Sequence, residues 1–252
     1  MNNEEKDTYR TSITVNTAKD NEAFWQEFYA LNTSLKREPS SFCQFVLDKF
    51  ITIDSNHIKS LVDIGCGNGR DTFYFAKHGE GRLSVVGVDA CAVAIESNTR
   101  LMDQHKYDLC SFSQMNINNL EAFSSRFKNY DFIYARFFLH SITRADQDLF
   151  MTFLGDELKP HALVLLEFRT DKDRMWREDN RSRVKLSQDE AISSDAQGHY
   201  RRYINFEVFC RQLVELKFEL VFAEERSGLS IRGEDDPCLG RIVARKMHIN
   251  EY

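Results

Sequence analysis

Proline is scarce in this chain, three residues in 252, and glycine reaches only 11. With so few breakers, long structureless linkers are not expected. Positive charge is also short: Lys and Arg number 33 against 39 Asp and Glu, a formal charge of −6. A chain that holds nucleic acid through its overall field is usually basic, so no nucleic-acid partner is expected. The strongly apolar stretches are too short to span a bilayer, which argues against a membrane partner. The opening MNNEEKDTYRTSITVN lacks the apolar centre of a secretory signal. Six cysteines (Cys43, Cys66, Cys91, Cys110, Cys210 and Cys238) include no CxxC pair and no histidine at zinc spacing. No metal site is expected. Four of the thiols sit in apolar or strand-like runs, where they pack as small hydrophobes. A reducing, cytoplasmic setting is the simpler reading.

What is present supports one large α/β domain with a small cap. Hydrophobic residues make up 42% and aromatics 12% of the chain, with 20 Phe against two Trp. Phe24, Trp25, Phe28 and Leu31 recur at helical spacing. Pro39, with Ser40 or Ser41 as a cap, opens a second helix carrying Phe42, Phe45, Val46 and Phe50. Residues 1–57 therefore read as a helical cap or lid and 58–252 as the main domain. Within that domain, strands are predicted at 60–67, 83–90, 110–117, 130–138 and 161–169, and helices at 70–79, 93–106, 120–127 and 144–158. Strands that are near-continuous apolar runs and alternate with helices predict a mostly parallel sheet covered on both faces. Residues 170–203 form a polar, charge-rich insertion of little periodicity; a structureless stretch of that length inside a compact domain is usually functional or partly disordered. A helix at 205–216 and two strands at 218–227 and 238–246 close the pattern.

The informative stretch is LVDIGCGNGRD, residues 61–71. A strand ends in Asp63, turns through Gly65, Cys66, Gly67 and Gly69, and enters a helix. Glycine is needed where a backbone must turn tightly and approach a ligand without a Cβ in the way. The following helix presents unpaired N–H groups and positive potential. Asp89 ends the second strand, about 20 residues beyond Gly69, where an acid can accept hydrogen bonds from both hydroxyls of a ribose.

Dinucleotide sites favour GxGxxG, whereas the spacing here is GxGxG with an acid two residues ahead. VDIGCGNGRD resembles the first motif of the class I S-adenosylmethionine-dependent methyltransferases. VVGVDA resembles their next motif, and YDFIYARFFLHSI resembles the fourth strand and its loop. The resemblance runs over residues 58–247. It implies a Rossmann-like α/β fold: a mostly parallel seven-stranded sheet with helices on both faces, an antiparallel C-terminal strand and the helical N-terminal cap. It implies S-adenosylmethionine as cofactor, with Asp63, Gly65 and Gly67 beside the methionine part and Asp89 on the ribose. Ala90 or Cys91 would lie against the adenine. Asn116 and Ile117 fall where the family often has an acid on the adenine amino group; here the Asn side-chain carbonyl would make that contact. Arg136 would face the cofactor or the acceptor.

Methyl transfer from a sulfonium has a good leaving group, so proximity, orientation and desolvation can carry catalysis. His140, after the fourth strand, is the best-placed base, or else a residue that caps the next helix or fills a polar niche. The stretch GHYRRY supplies His199 as a second catalytic candidate, with Tyr200, Arg201 and Arg202 for substrate. Glu167 and Arg169 end the fifth strand beside it. Arginine suits bidentate recognition of carboxylate or phosphate; alternatively the stretch pairs with Asp189, Glu190 and Asp195. Adjacent residues on an extended segment point to opposite sides, so at most one of the two arginines should face a pocket. Trp25 and Tyr29 either close over the site, as N-terminal helices do in small-molecule members of the family, or serve as core. The expectation is methylation of oxygen or nitrogen on a small molecule bearing an anionic group. The rivals are a catalytically silent binder of S-adenosylmethionine and a nicotinamide-dependent oxidoreductase. The second is disfavoured by the glycine spacing and the lack of a Tyr-x-x-x-Lys pair.

Overall fold

The computed structural model describes residues 17–32, 37–51, 57–105, 107–177, 183–185, 187–193 and 200–248. Helices α1 (Thr17–Leu31) and α2 (Ser41–Lys49) come first. The alternating unit follows: β1 (Lys59–Ile64), α3 (Arg70–His78), β2 (Leu83–Asp89), α4 (Ala92–His105), β3 (Cys110–Gln114), α5 (Leu120–Phe127), β4 (Phe132–Arg136), α6 (Arg144–Thr152) and β5 (Leu163–Arg169). Next are α7 (Arg174–Arg177), β6 (Arg183–Lys185), β7 (Glu190–Ser193), β8 (Tyr200–Arg202), α8 (Phe206–Glu215), β9 (Phe218–Arg226) and β10 (Leu239–Lys246).

The main sheet has seven strands in the order β3-β2-β1-β4-β5-β10-β9. Only β10 runs against the rest, antiparallel to both β5 and β9. The order reverses between β1 and β4, and ligands of open α/β sheets bind outside the strand ends at that point. Strand interiors such as Leu61, Val62, Ile133 and Val164 are buried, as two covered faces require. On one face α5, α6 and α8 contribute Phe123, Phe127, Phe150 and Phe209 to the core. On the other, Phe42 of α2 and Phe75 of α3 pack with Tyr134. The abundance of phenylalanine is thus a core feature.

Side-chain caps set several helix starts: Ser40 accepts from Cys43 N–H, Thr143 from Asp146 N–H and Asn205 from Val208 N–H. Ser40 also ties α2 to α3, since its N–H and hydroxyl both donate to buried Asp71 at 2.7 Å. Three expectations need correcting. Helix α1 begins at Thr17, earlier than its aromatic stripe. The helix expected over 144–158 is α-helical only to Thr152 and widens into a π turn at Phe153–Glu157. The stretch 170–203 is not structureless among its described residues, because β6, β7 and β8 form a separate antiparallel sheet. Within that sheet Tyr200 donates to Glu190 (2.8 Å) and Arg202 to Asp189 (2.7 Å), and polar pairs tie it to α6: Arg202 donates to Gln147 (2.8 Å) and Arg144 to Asp189 (2.6 Å).

Candidate active site

The turn after β1 passes through Gly65, Gly67 and Gly69 at φ of 71°, 52° and 72°. That left-handed region is disfavoured for any residue with a Cβ. A methyl at Gly65 would lie 2.9 Å from Phe138, and one at Gly67 would collide with the Tyr29 hydroxyl. At the next tip, one oxygen of Asp89 accepts from Gly67 N–H (2.8 Å) and the other from Cys91 N–H (2.9 Å). Asp89 therefore staples the β1 turn to the β2 turn. Burial raises its carboxyl, against the pull of those backbone donors.

Above the two tips lies α1. Asn21 donates to the Ser141 carbonyl (2.6 Å), and the Gln26 side-chain oxygen accepts from Val93 N–H (3.3 Å). The helix bridges the loop after β4 and the start of α4, enclosing a cavity of about 1090 Å³. One drug-sized ligand fills roughly 300–1,000 Å³, so a nucleoside and a second small molecule can share the space. Trp25, Tyr29, Asp63, Gly65, Cys66, Gly67, Asp89, Ala90, Asn116, Ile117, Arg136, His140, Arg169 and Arg201 all line it. Gly69 stands behind the wall as the N-cap of α3. The Asn116 side-chain oxygen, expected at the adenine, already accepts from Asn118 N–H at 3.1 Å.

Several expected site residues have other work. Glu167 is buried, and strand register sets it between Arg136 on β4 and Arg241 on β10. Arg136 donates to one of its oxygens (2.8 Å) and Arg241 to the other (2.6 Å). This carboxylate is consumed by the fold and is absent from the cavity wall. The alternation along β8 places Arg201 in the wall and turns Arg202 to Gln147 and Asp189, while Tyr200 is held by Glu190. His199 and Asp195 lie outside the described residues. His140 is buried, with Nδ1 accepting from Arg169 N–H at 3.1 Å. Accepting that bond engages the Nδ1 lone pair, so no proton sits on Nδ1 while it forms.

Phe137 follows Arg136 at φ 57°, a left-handed backbone for a bulky residue. The Arg136 guanidinium sits 3.9 Å above its ring, and His140 meets it edge to face. The loop between β9 and β10 supplies the remaining wall. Arg136 donates to Ser230 (3.1 Å), and Arg169 pairs with Asp235 and with Asp173 (2.9 Å). The spacing of residues gave no sign of Phe137 or of Ser230; the glycines at 228 and 233 were the available signal for that loop.

Asp63 has the most displaced carboxyl in this wall. Burial, then the charge of Asp71, push it up to about 8, against a 2.6 Å hydrogen bond from Thr72. Below that pH the carboxyl is held largely protonated; a cationic ammonium placed beside it, as the resemblance implies, would favour the ionised form. Binding of S-adenosylhomocysteine at pH 7 is therefore expected to release close to one proton, and to tighten as pH rises toward 8. Calorimetry in buffers of different ionisation enthalpy reads that number directly. A count of zero at pH 7, or an undiminished count in Asp63→Asn, contradicts it.

A family model described as a methyltransferase domain matches residues 55–196, more than half the chain. Among solved structures, an S-adenosylmethionine-dependent methyltransferase from Methanosarcina mazei superposes with TM-score 0.64 at 18% identity, covering 80% of this chain and 97% of that one. The glycopeptide N-methyltransferase MtfA, solved with S-adenosylmethionine, gives 0.59 at 14% identity over 83% and 94%. The cyclase SpnF gives 0.60 at 13% identity over 85% of each. No curated protein sequence matches. The chain belongs to the methyltransferase-domain family and is an S-adenosylmethionine-dependent methyltransferase of Rossmann-like fold. Its own residues fit that cofactor: Asp63, Gly65, Gly67 and Asp89 line one cavity at the ends of β1 and β2, and the Asp89 carboxylate stands at the second strand tip, holding the Gly67 N–H.

Proposed function

We propose that this methyltransferase acts on a small molecule bearing an anionic group, at an oxygen or nitrogen, in the part of the cavity between α1 and the ends of β4 and β5. The observation that carries this reading is the pair Arg169 and Arg201. Both line the cavity, and the Arg201 guanidinium is pulled down by burial and then by the like charge of Arg169. An anion beside Arg201 would offset that desolvation and repulsion, while Arg169 is already paired with Asp173 and Asp235. Phe24, Phe28, Phe138 and Ile142 in the same wall suit an apolar body.

S-adenosylmethionine supplies an electrophilic methyl group on a sulfonium. The chain's part is to orient and dry the reactants: α1 excludes water, His140 offers a donor, and the arginines fix one end of the acceptor. Of the described residues ahead of β1, α1 covers the cavity, whereas α2 packs into the core against the sheet. The acidic balance favours a small acceptor over nucleic acid, and six unbonded thiols suit a reducing cytoplasm. Among the described residues no helix is long and apolar enough to cross a membrane.

The test is transfer of labelled methyl from S-adenosylmethionine to matched aromatic acids and their neutral amides. Acids are expected to be preferred. Arg201→Ala should raise the acceptor KM at least tenfold while S-adenosylhomocysteine affinity stays within twofold. Equal use of acids and amides, or an unmoved KM in Arg201→Ala, defeats the anionic reading.

A further inference from the structure

The glycine turn is tied from behind as well as from the front. Asn98, on α4, is fully buried, and its side-chain N–H donates to the Gly67 carbonyl at 2.8 Å. Its side-chain oxygen accepts from Arg37 at 3.0 Å, and the same guanidinium nitrogen donates to the Asn68 carbonyl. Asn98 also fills the space a Cβ on Gly69 would need, 2.9 Å from its amide carbon. Two consecutive carbonyls of the turn thus point away from the cavity, each held by a side chain more than 30 positions distant in sequence. A peptide plane whose carbonyl is held outward directs its N–H the other way. The Gly67 carbonyl belongs to the peptide carrying the Asn68 N–H; the Asn68 carbonyl belongs to the one carrying the Gly69 N–H, which donates to the Cys66 carbonyl at 2.9 Å and so closes the turn on itself.

We propose that Arg37 and Asn98 are positioning residues for the cofactor, fixing the Gly67–Asn68 peptide plane on which its amino-acid end lies, while Asp89 holds its ribose end and the N–H of the preceding peptide. The proposal rests on placing that amino-acid end along the glycine turn. Neither residue reaches the reacting atoms. Among the described residues the Arg37 guanidinium donates to a main-chain carbonyl and an amide oxygen, its carbon lies 5.7 Å from the centre of the Phe73 ring, and burial lowers its pKa. Its charge polarises the turn.

The experiment compares S-adenosylhomocysteine with adenosine, which lacks the amino-acid end, by calorimetry on the full chain. Asn98→Ala and Asn98→Asp both lose the donor to Gly67; each should weaken S-adenosylhomocysteine at least tenfold and adenosine no more than threefold. Arg37→Met should act in the same direction, and Arg37→Lys should recover part of the loss. In the Arg37→Met, Asn98→Ala pair the losses should fall short of additive, because both act on one turn. Equal weakening of both ligands would reveal general loosening of the fold and overturn the proposal, as would unchanged binding. A wild-type protein that holds adenosine as tightly as S-adenosylhomocysteine would overturn the placement of the amino-acid end, and the proposal with it.

Discussion

Glu167→Ala is expected to cost about 3–5 kcal/mol of folding stability, because removing one partner of a buried ionic group strands the others. Here it strands two. Arg136 and Arg241 converge on the two oxygens of Glu167 from neighbouring strands, with all three side chains buried or nearly so. Arg241 also donates to Ser41 (2.8 Å) and Arg136 to Ser230 (3.1 Å), so the damage reaches α2 and the β9–β10 loop together. Glu167→Gln keeps one acceptor and should fall between. Chemical denaturation monitored by far-ultraviolet circular dichroism measures the loss; a change under 1 kcal/mol in the alanine variant would show that water enters and replaces the carboxylate.

The second large effect belongs to Asp89. Its oxygens hold Gly67 N–H and Cys91 N–H, and hydrogen bonds to a charged group are worth about 1.5–3 kcal/mol each. Asp89→Ala releases both strand tips at once, and the affinity for S-adenosylhomocysteine is expected to drop on the order of a hundredfold or more. Asp89→Asn turns one acceptor into a donor facing another donor, so it should recover little. Calorimetry decides the matter, and an alanine variant within threefold of wild type would dismiss the staple as a binding element.

The fold was legible where burial writes itself into composition. Strands β1, β2, β4 and β5 carry apolar runs bounded by breakers, and their alternation with helices leaves few topologies. The glycine turn was legible because only glycine suits three left-handed positions in five residues. Strands β6, β7 and β8 were not: Arg202 with Asp189 and Tyr200 with Glu190 leave no periodic trace. Nor could spacing reveal that Asn98 meets Gly67, or that strand register spends Glu167 on two arginines. The bond from Arg169 N–H to His140 Nδ1 was equally hidden, because it joins the end of β5 to the loop after β4. Phe137 was hidden for the opposite reason, since local preference argues against the backbone it adopts.

A glycine at position 137 would suit that backbone and relieve a distortion of about 1–3 kcal/mol. Selection for heat resistance alone would therefore drive the aromatic ring out of the position. An effort to toughen this enzyme by replacing awkward residues should leave 137 untouched, because the discomfort there is what keeps a flat hydrophobic wall beneath Arg136 and beside His140.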